Sequence, residues 1–437
     1  MRVIAVYLVV LVSLGLAGCS ERPSTVVLIT LDTTRADHLG CYGYTRNTSP
    51  NLDAFARDAI VYERAIAPGT WTLPSHASLF TGKLTTSHGA QYDPNGALRL
   101  RSALEGPDSW DAYRARTISV AERTLAERLG EAGFYTGAVV GGVWLKSIFG
   151  LARGFDDYDE DNISSVNGRP AEDVTDRAIA WLEQTEGPRF LFLNYFDPHS
   201  PFEPPDEFAR RFVVPGAPED LAHAIGLYDA EIAYMDHHLG RFFQALRDAG
   251  LYDQALIVVT ADHGELLGEH GDRGHGRVPF QEVVHIPLIV KMPGPGGPTG
   301  RRLGWVQLND VFPLILESLG LEVPGDIQGE APPGGTHPII VESRTIPPTQ
   351  DYGEWQALIE GESKFIRSSR GFYALFDLRD SPGEARNVAS EHPERVRAMR
   401  ERLDHYLAGL PRPGGQAEPR VLDPETQQAL ENLGYLE

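Results

Sequence analysis

Four apolar runs, rich in β-branched and aromatic residues, narrow the folds that this chain can adopt more than any other feature. They lie at residues 26–31, 134–140, 190–195 and 255–260. Such runs are typical of strands that are buried on both faces, as in the parallel sheet of an α/β domain. Helices are predicted between or beside them, at residues 125–132, 171–184 and 219–249. The alternation predicts an α/β fold with a doubly wound, mainly parallel sheet.

The pattern changes at about residue 336. Short alternating runs at residues 355–359, 364–368 and 373–377 are separated by turn residues, which predicts a small antiparallel sheet. A further helix is predicted at residues 393–408. We therefore expect a large α/β domain over residues 26–335, followed by a C-terminal subdomain and tail over residues 336–437.

A targeting segment is predicted at the N-terminus. Arg2 precedes an apolar run over residues 3–17, which has the length of a signal-peptide core and is short for a membrane-spanning helix. The run ends in Leu16-Ala17-Gly18-Cys19, which resembles the lipobox of bacterial lipoproteins, in which cleavage leaves the cysteine as the lipid-modified first residue. A plain secretory signal is the alternative.

The lipobox resemblance implies a signal peptide over residues 1–18 and a tether over residues 19–25. It also implies a cell-envelope lipoprotein that faces the periplasm and is held to the membrane by a lipid on Cys19, with Ser20 favouring the outer membrane. Only two cysteines are present, so lipidation of Cys19 leaves Cys41 without an internal disulfide partner.

Polar side chains follow three of the four apolar runs, at the point where each run ends. Asp32 follows the first run, Asp197 and His199 follow the third, and Asp262 and His263 follow the fourth. The carboxyl ends of parallel strands meet at one edge of a sheet, where open α/β sheets bind ligands. Carboxylates and an imidazole that meet there, beside a hydroxyl, predict a site for a divalent metal ion.

A hydroxyl-rich stretch at residues 70–83 supplies a candidate nucleophile. It places Thr72, Ser75 and His76 directly before an apolar segment that reads as a helix. The unpaired N–H groups and the dipole at such a helix start attract anions. From the residues alone, the alternative is an ordinary helix cap, with Thr72 or Ser75 at the N-cap.

The same stretch resembles the signature of the sulfatase family, within the alkaline-phosphatase superfamily. The matching positions are Pro74, Ser75, Ser78, Leu79, Thr81 and Gly82, with Lys83 in place of the last arginine. Further motifs of the family follow its order at residues 31–43, 48–53, 197–201, 260–265, 277–279 and 285–290. The resemblance covers nearly the whole chain after the signal segment, and it implies the family's fold and an enzyme that acts on ester bonds.

Several positions depart from the family pattern. Thr72 stands where sulfatases have the Cys or Ser that is converted to formylglycine, so no formylglycine is expected. His76 replaces an arginine, and His263 and His275 take places often held by asparagine and lysine. The family's Gly-Lys-Trp-His-Leu segment is replaced by Gly142-Val143-Trp144-Leu145, without its lysine and histidine.

These departures resemble superfamily members that transfer phosphoryl groups with a threonine nucleophile. The resemblance implies one divalent metal ion, held by Asp32, Thr72, Asp262 and His263. The nitrogen ligand favours Zn²⁺ or Mn²⁺, with Ca²⁺ as the alternative. Asp197 is a candidate for a second metal site, but a single metal is favoured.

We predict in-line attack by metal-bound Thr72 on a phosphorus or sulfur ester. His199 is predicted to protonate the leaving oxygen or to hold a non-bridging one, and His275 to stabilise the developing charge. His76 and His270 are the candidate substrate-binding residues. Water or an acceptor alcohol would then release the covalent intermediate.

The predicted function is a lipid-anchored, metal-dependent hydrolase or transferase of phosphate esters, phosphate diesters or phosphonates. One alternative is a sulfuric ester hydrolase, against which Thr72 counts. Another is a catalytically silent lipoprotein that binds an anionic glycan or lipid. The net charge of -22 argues against a nucleic-acid partner, whereas a small anionic ester, carried on a lipid or glycan, is compatible because a bound cation reverses the local field.

Overall fold

The computed structural model describes residues 23–413, apart from 215, 217–219, 333–336 and 348–352. The predicted signal peptide, Cys19 and most of the predicted tether lie outside the described residues. No helix in the described part of the chain has both the length and the apolar composition needed to cross a bilayer.

Strands are distributed over most of the described part of the chain. In chain order they are β1 (Thr25–Leu31), β2 (Ile60–Ile66), β3 (Gln91–Tyr92), β4 (Leu98–Arg99), β5 (Arg114–Arg116), β6 (Tyr135–Val139), β7 (Asp157–Asp159), β8 (Arg189–Tyr195), β9 (Leu256–Thr260), β10 (Leu266–Leu267), β11 (Arg273–Gly274), β12 (His285–Lys291), β13 (Gly300–Gln307), β14 (Ile339–Arg344), β15 (Glu354–Glu360), β16 (Ser363–Ser368) and β17 (Tyr373–Asp377).

The α-helices alternate with these strands. In chain order they are α1 (Pro50–Ala56), α2 (Thr72–Thr81), α3 (Thr85–His88), α4 (Leu125–Glu131), α5 (Ala171–Gln184), α6 (Asp206–Phe212), α7 (Leu221–Asp248), α8 (Gln281–Val284), α9 (Val311–Ser318) and α10 (Pro393–Gly409).

An eight-stranded sheet forms the centre of the fold, in the order β13-β2-β12-β9-β1-β8-β6-β7. β1 pairs in parallel with β8 and β9, while β12 runs antiparallel to β9 and β2. The sheet is mainly parallel, which confirms the predicted α/β class. The sequence prediction missed β2 and β13, because charged residues such as Glu63 and Arg301 interrupt their apolar pattern.

Helices cover both faces of this sheet, and the side chains of β1 alternate between the two cores that result. Val26 and Leu28 belong to the core that α2, α4 and α9 cover, whereas Val27, Ile29 and Leu31 belong to the core that α1, α5 and α7 cover. All residues of β1 are buried. Burial on both faces is the reason that β1 reads as a continuous apolar run and not as an alternating one.

The C-terminal residues form a four-stranded antiparallel sheet in the order β14-β15-β16-β17, and α10 packs on one face of it. This confirms the predicted small antiparallel subdomain and adds β14 to it. Val341 and Ala357, on the opposite face, join the core of the large domain. The predicted boundary between residues 335 and 336 stays a prediction, because residues 333–336 lie outside the described part.

Residues 90–116, between α3 and α4, form a largely polar segment without a regular sequence pattern. The segment contains a small antiparallel sheet in the order β3-β5-β4. Each of its strands spans only two or three residues, which is too short for a hydrophobic period to be visible in the sequence.

A buried ion pair fixes the chain where it approaches β14. Nε2 of His337 lies 2.8 Å from Oδ1 of Asp310, at the N-cap of α9. The same carboxyl accepts hydrogen bonds from the backbone N–H groups of Gln307 and Glu330. Burial alone would lower the pKa of His337, but the hydrogen bond and the charge of Asp310 outweigh it and raise the pKa to about 8.

The stability that this ion pair contributes should fall as the pH rises. The pKa of His337 lies above its unfolded value of about 6.5, so the contribution is complete below that pH and is lost as the pH passes through about 8. We expect His337→Gln to cost about 2 kcal/mol more free energy of unfolding at about pH 6 than at about pH 9. Urea unfolding at the two pH values measures this difference, and an equal loss at both would contradict the charge pairing.

Candidate active site

Asp32 and Asp262 follow the ends of β1 and β9, which are neighbouring parallel strands. Their register pairs Thr30 with Thr260, so both strands leave the sheet at the same edge. Potential ligand atoms of Asp32, Asp262 and His263 all lie within 4.8 Å of one another, and all three residues are buried. The structure therefore brings together three of the four predicted metal ligands.

Thr72 joins this cluster from the first residue of α2. Trp71 before it is extended (φ -160°, ψ 168°), and the helix ends at Gly82, whose φ of 67° favours glycine. Oγ1 of Thr72 lies 3.4 Å from Nε2 of His263. The fourth predicted ligand is thus beside the other three, at a helix N-terminus whose dipole favours an anion.

The candidate metal-ligand oxygens of the carboxyl groups in this cluster have no hydrogen-bond partner, within the described part of the chain, on the side where they converge. Both carboxyl oxygens of Asp32 and Oδ2 of Asp262 are buried and lack a close hydrogen-bond donor. Oδ1 of Asp262, in contrast, accepts hydrogen bonds from the backbone N–H groups of Thr33 (3.3 Å) and His263 (2.9 Å). Nδ1 of His263 donates to the carbonyl of Gly264 at 2.9 Å, which leaves the lone pair of Nε2 available.

The protonation equilibria of the cluster also fit a cation. Burial, followed by the nearby charge of Asp262, raises the pKa of Asp32 well above its usual range. Burial raises the pKa of Asp262 to about 6 and lowers that of His263 to about 3. Buried carboxylates without donors are unfavourable by themselves, and a divalent cation would offset that cost. Two carboxylates, a neutral imidazole and a hydroxyl are a donor set that suits such an ion.

Two further histidines stand in a row with His263. The ring of His275 lies 4.5 Å from that of His263 and 5.0 Å from that of His199. Nδ1 of His199 donates to the carbonyl of Ser200 at 2.6 Å, and its ring stacks on Phe196. Burial lowers the pKa of His199 to about 3 and that of His275 to about 4. The structure thus places both predicted catalytic histidines beside the cluster of Asp32, Asp262 and His263, where burial favours their neutral form.

His76 lies beneath the cluster, which corrects its predicted role in substrate binding. It is fully buried, its Nδ1 donates to the carbonyl of Thr72 at 2.9 Å, and its Nε2 accepts from the hydroxyl of Thr30 at 3.0 Å. Nδ1 also lies 3.6 Å from Oδ2 of Asp262. Because both ring nitrogens are engaged inside the protein, His76 positions the backbone of Thr72 and has no nitrogen left for a substrate.

The bond to Thr30 is part of a longer chain of hydrogen bonds that sequence reasoning missed. Nδ2 of Asn194 donates to Oγ1 of Thr30 at 3.1 Å, and Oδ1 of Asn194 accepts from the N–H groups of Gly141 and Gly142. The chain connects the loop after β6 to the backbone of the nucleophile. The sequence contained an indication of these hydrogen bonds, because Thr30 and Asn194 are polar residues inside apolar strand runs.

His270 and Asp197 make contacts that do not involve the cluster. The ring of His270 stacks on Phe280 at 3.8 Å, and its Nε2 lies 3.1 Å from a carboxyl oxygen of Glu282. The predicted substrate-binding role of His270 stays a prediction. Oδ1 of Asp197 accepts a hydrogen bond from the N–H of Ala171 at 2.9 Å and so caps α5, while Oδ2 is buried without a hydrogen-bond partner among the described residues.

Arg35 and Tyr228 hold the loops after β1 and β9 together. The guanidinium of Arg35 donates to the carbonyl of Glu265 at 3.1 Å and forms an ion pair with Glu269 at 2.7 Å. The hydroxyl of Tyr228, on α7, donates to the carbonyl of Thr33 at 2.7 Å. Thr33 has a φ of 51°, a conformation that costs a non-glycine residue about 1–3 kcal/mol and persists where the surroundings impose it.

Comparisons with known proteins agree with this geometry. The sulfatase family profile matches residues 24–321. An arylsulfatase of Clostridium perfringens is 23% identical, over 88% of this chain and 94% of its own length. The structure of a phosphonate monoester hydrolase of Agrobacterium radiobacter superposes with a TM-score of 0.70 at 21% identity, over 88% of this chain and 95% of that chain. A protein solved with its substrate D-glucosamine-2-N,6-O-disulfate also has a TM-score of 0.70, at 18% identity, over 89% of this chain and 98% of that chain.

Metal binding should be visible as a gain in stability that Asp32→Asn removes. A ligand at about 100 times its dissociation constant stabilises a folded protein by about 2.7 kcal/mol. We expect Mn²⁺ or Zn²⁺ to stabilise the wild type by an amount of this order, and Asp32→Asn to abolish the response. Without metal, the variant should be at least as stable as the wild type, because it no longer buries a carboxylate without donors.

Urea unfolding with and without the metal measures this effect. The matched control is Asp236→Asn, which changes a buried carboxyl that caps α1 through the N–H groups of Asn51 and Leu52. This control should keep the metal response. An equal metal response in Asp32→Asn would show that the ion binds elsewhere.

Proposed function

Because this chain belongs to the sulfatase family, whose members are metal-dependent, we propose that its site cleaves phosphate esters, phosphate diesters or phosphonates with Thr72 as the nucleophile. The chain is a hydrolase that acts on ester bonds. The observation that supports the finer assignment is the hydroxyl of Thr72, at the start of α2 and 3.4 Å from Nε2 of His263. A threonine Cβ carries a methyl group, so its oxidation gives a ketone and not the aldehyde from which a formylglycine hydrate forms.

A divalent cation would be held by Asp32, Asp262, His263 and Thr72. When bound, it would supply positive charge that favours ionisation of the hydroxyl and offsets charge on the reacting group. The residues themselves do the remaining positioning. His76 holds the carbonyl of Thr72, and Thr30 in turn holds His76.

His199 is the group that we assign to the leaving oxygen. Its Nδ1 donates to the carbonyl of Ser200, so its Nε2 is directed to the opposite side of the ring. Stacking on Phe196 fixes the plane of the ring. An anionic substrate would raise the pKa of His199 from its low value, so that Nε2 carries the proton that the leaving oxygen accepts.

A sulfate ester is the second candidate substrate. It is supported by the similarity to an arylsulfatase and by the neighbour solved with D-glucosamine-2-N,6-O-disulfate. These neighbours are consistent with a small anionic ester on a glycan, and a lipid carrier is equally compatible with the acidic chain. The side chain at position 72 favours the phosphorus esters.

Replacement of Thr72 should separate these candidates. We expect Thr72→Ala to lower kcat at least 1,000-fold, on the order of what loss of a covalent nucleophile costs, and Thr72→Ser to keep part of the activity. Metal-loaded enzyme should be assayed with aryl phosphate, phosphate diester, phosphonate and sulfate esters. A wild type that prefers aryl sulfate, with a Thr72→Ala variant that keeps this activity, would overturn the proposed mechanism.

We also propose that the protein is a periplasm-facing lipoprotein of the outer membrane, anchored through Cys19. The Leu16-Ala17-Gly18-Cys19 sequence and Ser20 support this place. Cys19→Ser should move the protein from the detergent phase to the aqueous phase in a Triton X-114 partition of cell extracts, and should abolish labelling with a clickable palmitate analogue. Unchanged partition of this variant would contradict the anchor.

A further inference from the structure

We infer that Glu265 positions His275, and that this pair prepares the water molecule that releases the covalent intermediate from Thr72. The inference rests on the proposed function, because it needs an intermediate on that hydroxyl. It deepens the proposal by assigning the second half of the reaction to two residues and by making water the acceptor.

Glu265 and His275 form a short hydrogen bond inside the protein. Nδ1 of His275 lies 2.7 Å from Oε2 of Glu265, and Glu265 is 2% exposed. A carboxylate accepts hydrogen bonds, so Nδ1 carries the hydrogen and the lone pair of the neutral ring is on Nε2. The two ring nitrogens face in nearly opposite directions. Glu265 therefore fixes both the tautomer of His275 and the direction in which its free lone pair points.

Contacts to the loop after β1 and to the loop that carries Thr72 hold both members of the pair. The carbonyl of Glu265 accepts a hydrogen bond from Arg35. His275 stands between Gly274 and Gly276, whose positive φ values of 87° and 78° form a turn that L-residues rarely adopt. The N–H of Gly276 donates to the carbonyl of Thr70 at 2.7 Å, which ties the backbone beside His275 to the loop that carries Thr72.

The position of the ring fits a base that acts on a group bound to Thr72. The ring of His275 packs against His263, whose Nε2 is the atom 3.4 Å from the Thr72 hydroxyl. On its other side it packs against His199, which we assign to the leaving oxygen. In-line attack on the ester comes from the side opposite Oγ1, so the water of the second step enters where the leaving oxygen stood. His275, packed against His199, lies beside that position.

The chemistry of a threonine ester makes such a base necessary. A hydrate with two hydroxyls on one carbon can expel an ester group by re-forming its carbonyl, whereas threonine has a single hydroxyl. The bond from Oγ1 of Thr72 to phosphorus must therefore be broken by attack from outside. In the proposed step, water forms a bond to phosphorus from the side opposite Oγ1, Nε2 of His275 takes the water proton, and the bond to Oγ1 breaks with its electron pair on Oγ1. His275 then releases its proton to solvent, and Oγ1 takes one up from solvent to restore the hydroxyl.

The experiment compares Glu265→Ala, Glu265→Gln and His275→Gln by intact-protein mass spectrometry and by rapid-quench kinetics with a 4-nitrophenyl phosphonate ester. We expect Glu265→Ala and His275→Gln to lower kcat about 100-fold, as the loss of a general base does, with an initial burst of nitrophenol and a mass adduct on Thr72. Glu265→Gln keeps an acceptor for Nδ1, so it should retain most of the wild-type kcat. Asp236→Asn is the control for loss of a buried carboxyl and should behave as the wild type.

Two outcomes would contradict the inference, and a third would contradict the proposed function. If the variants lose the initial burst of nitrophenol and most of their kcat, the pair serves the first step or only the fold. Wild-type kinetics in Glu265→Ala would show that His275 needs no positioning. If the wild type turns over the ester, no variant forms an adduct, and Thr72→Ala stays active, the covalent mechanism itself is wrong. His275→Gln keeps the test decisive if Glu265→Ala does not fold, because it leaves the buried carboxyl in place.

Discussion

The parallel pairing of β1 with β9 is the constraint on which the rest of this site depends. It delivers Asp32 and Asp262 to the same edge of the sheet, where their carboxyl groups are buried and face each other with free oxygens. Burial raises the pKa of both carboxyls, and the charge of Asp262 raises that of Asp32 further. Such an arrangement is unfavourable without a cation. A bound cation would offset this cost, and the offset would contribute to the affinity of the site for the cation.

The surroundings of these two carboxylates limit how they can relax. Thr33 is held in a left-handed conformation by Tyr228, and its N–H fixes one oxygen of Asp262. From below, the chain of hydrogen bonds from Asn194 through Thr30 to His76 ends on the carbonyl of Thr72. The loops that carry Asp262 and Thr72 are therefore positioned by residues outside the candidate set of metal ligands. Such support reduces the reorganisation that the reaction would otherwise need.

The sequence predicted those parts of this structure that depend on local pattern. The runs at residues 26–31, 190–195 and 255–260 were long and apolar enough to identify β1, β8 and β9, and the residues after them identified the cluster. It could not predict β13, whose exposed edge position allows arginines in place of an apolar pattern. It also misassigned His76, because a histidine in a motif does not reveal on which side of the site its ring lies. That depends on distant partners such as Thr30.

Positions 72 and 275, at which this chain departs from its family, are related to each other through the proposed reaction. In the proposed mechanism, a hydroxyl nucleophile at position 72 forms an ester that cannot expel itself, so water must attack the ester and a base must take the water proton. A lysine ammonium at position 275 could stabilise charge but has no lone pair to accept a proton. A histidine there, with Glu265 bonded to its Nδ1, has one on Nε2. In the proposed mechanism, Thr72 and His275 are thus better understood as one change than as two, since the threonine ester requires attack by water and the histidine accepts the water proton.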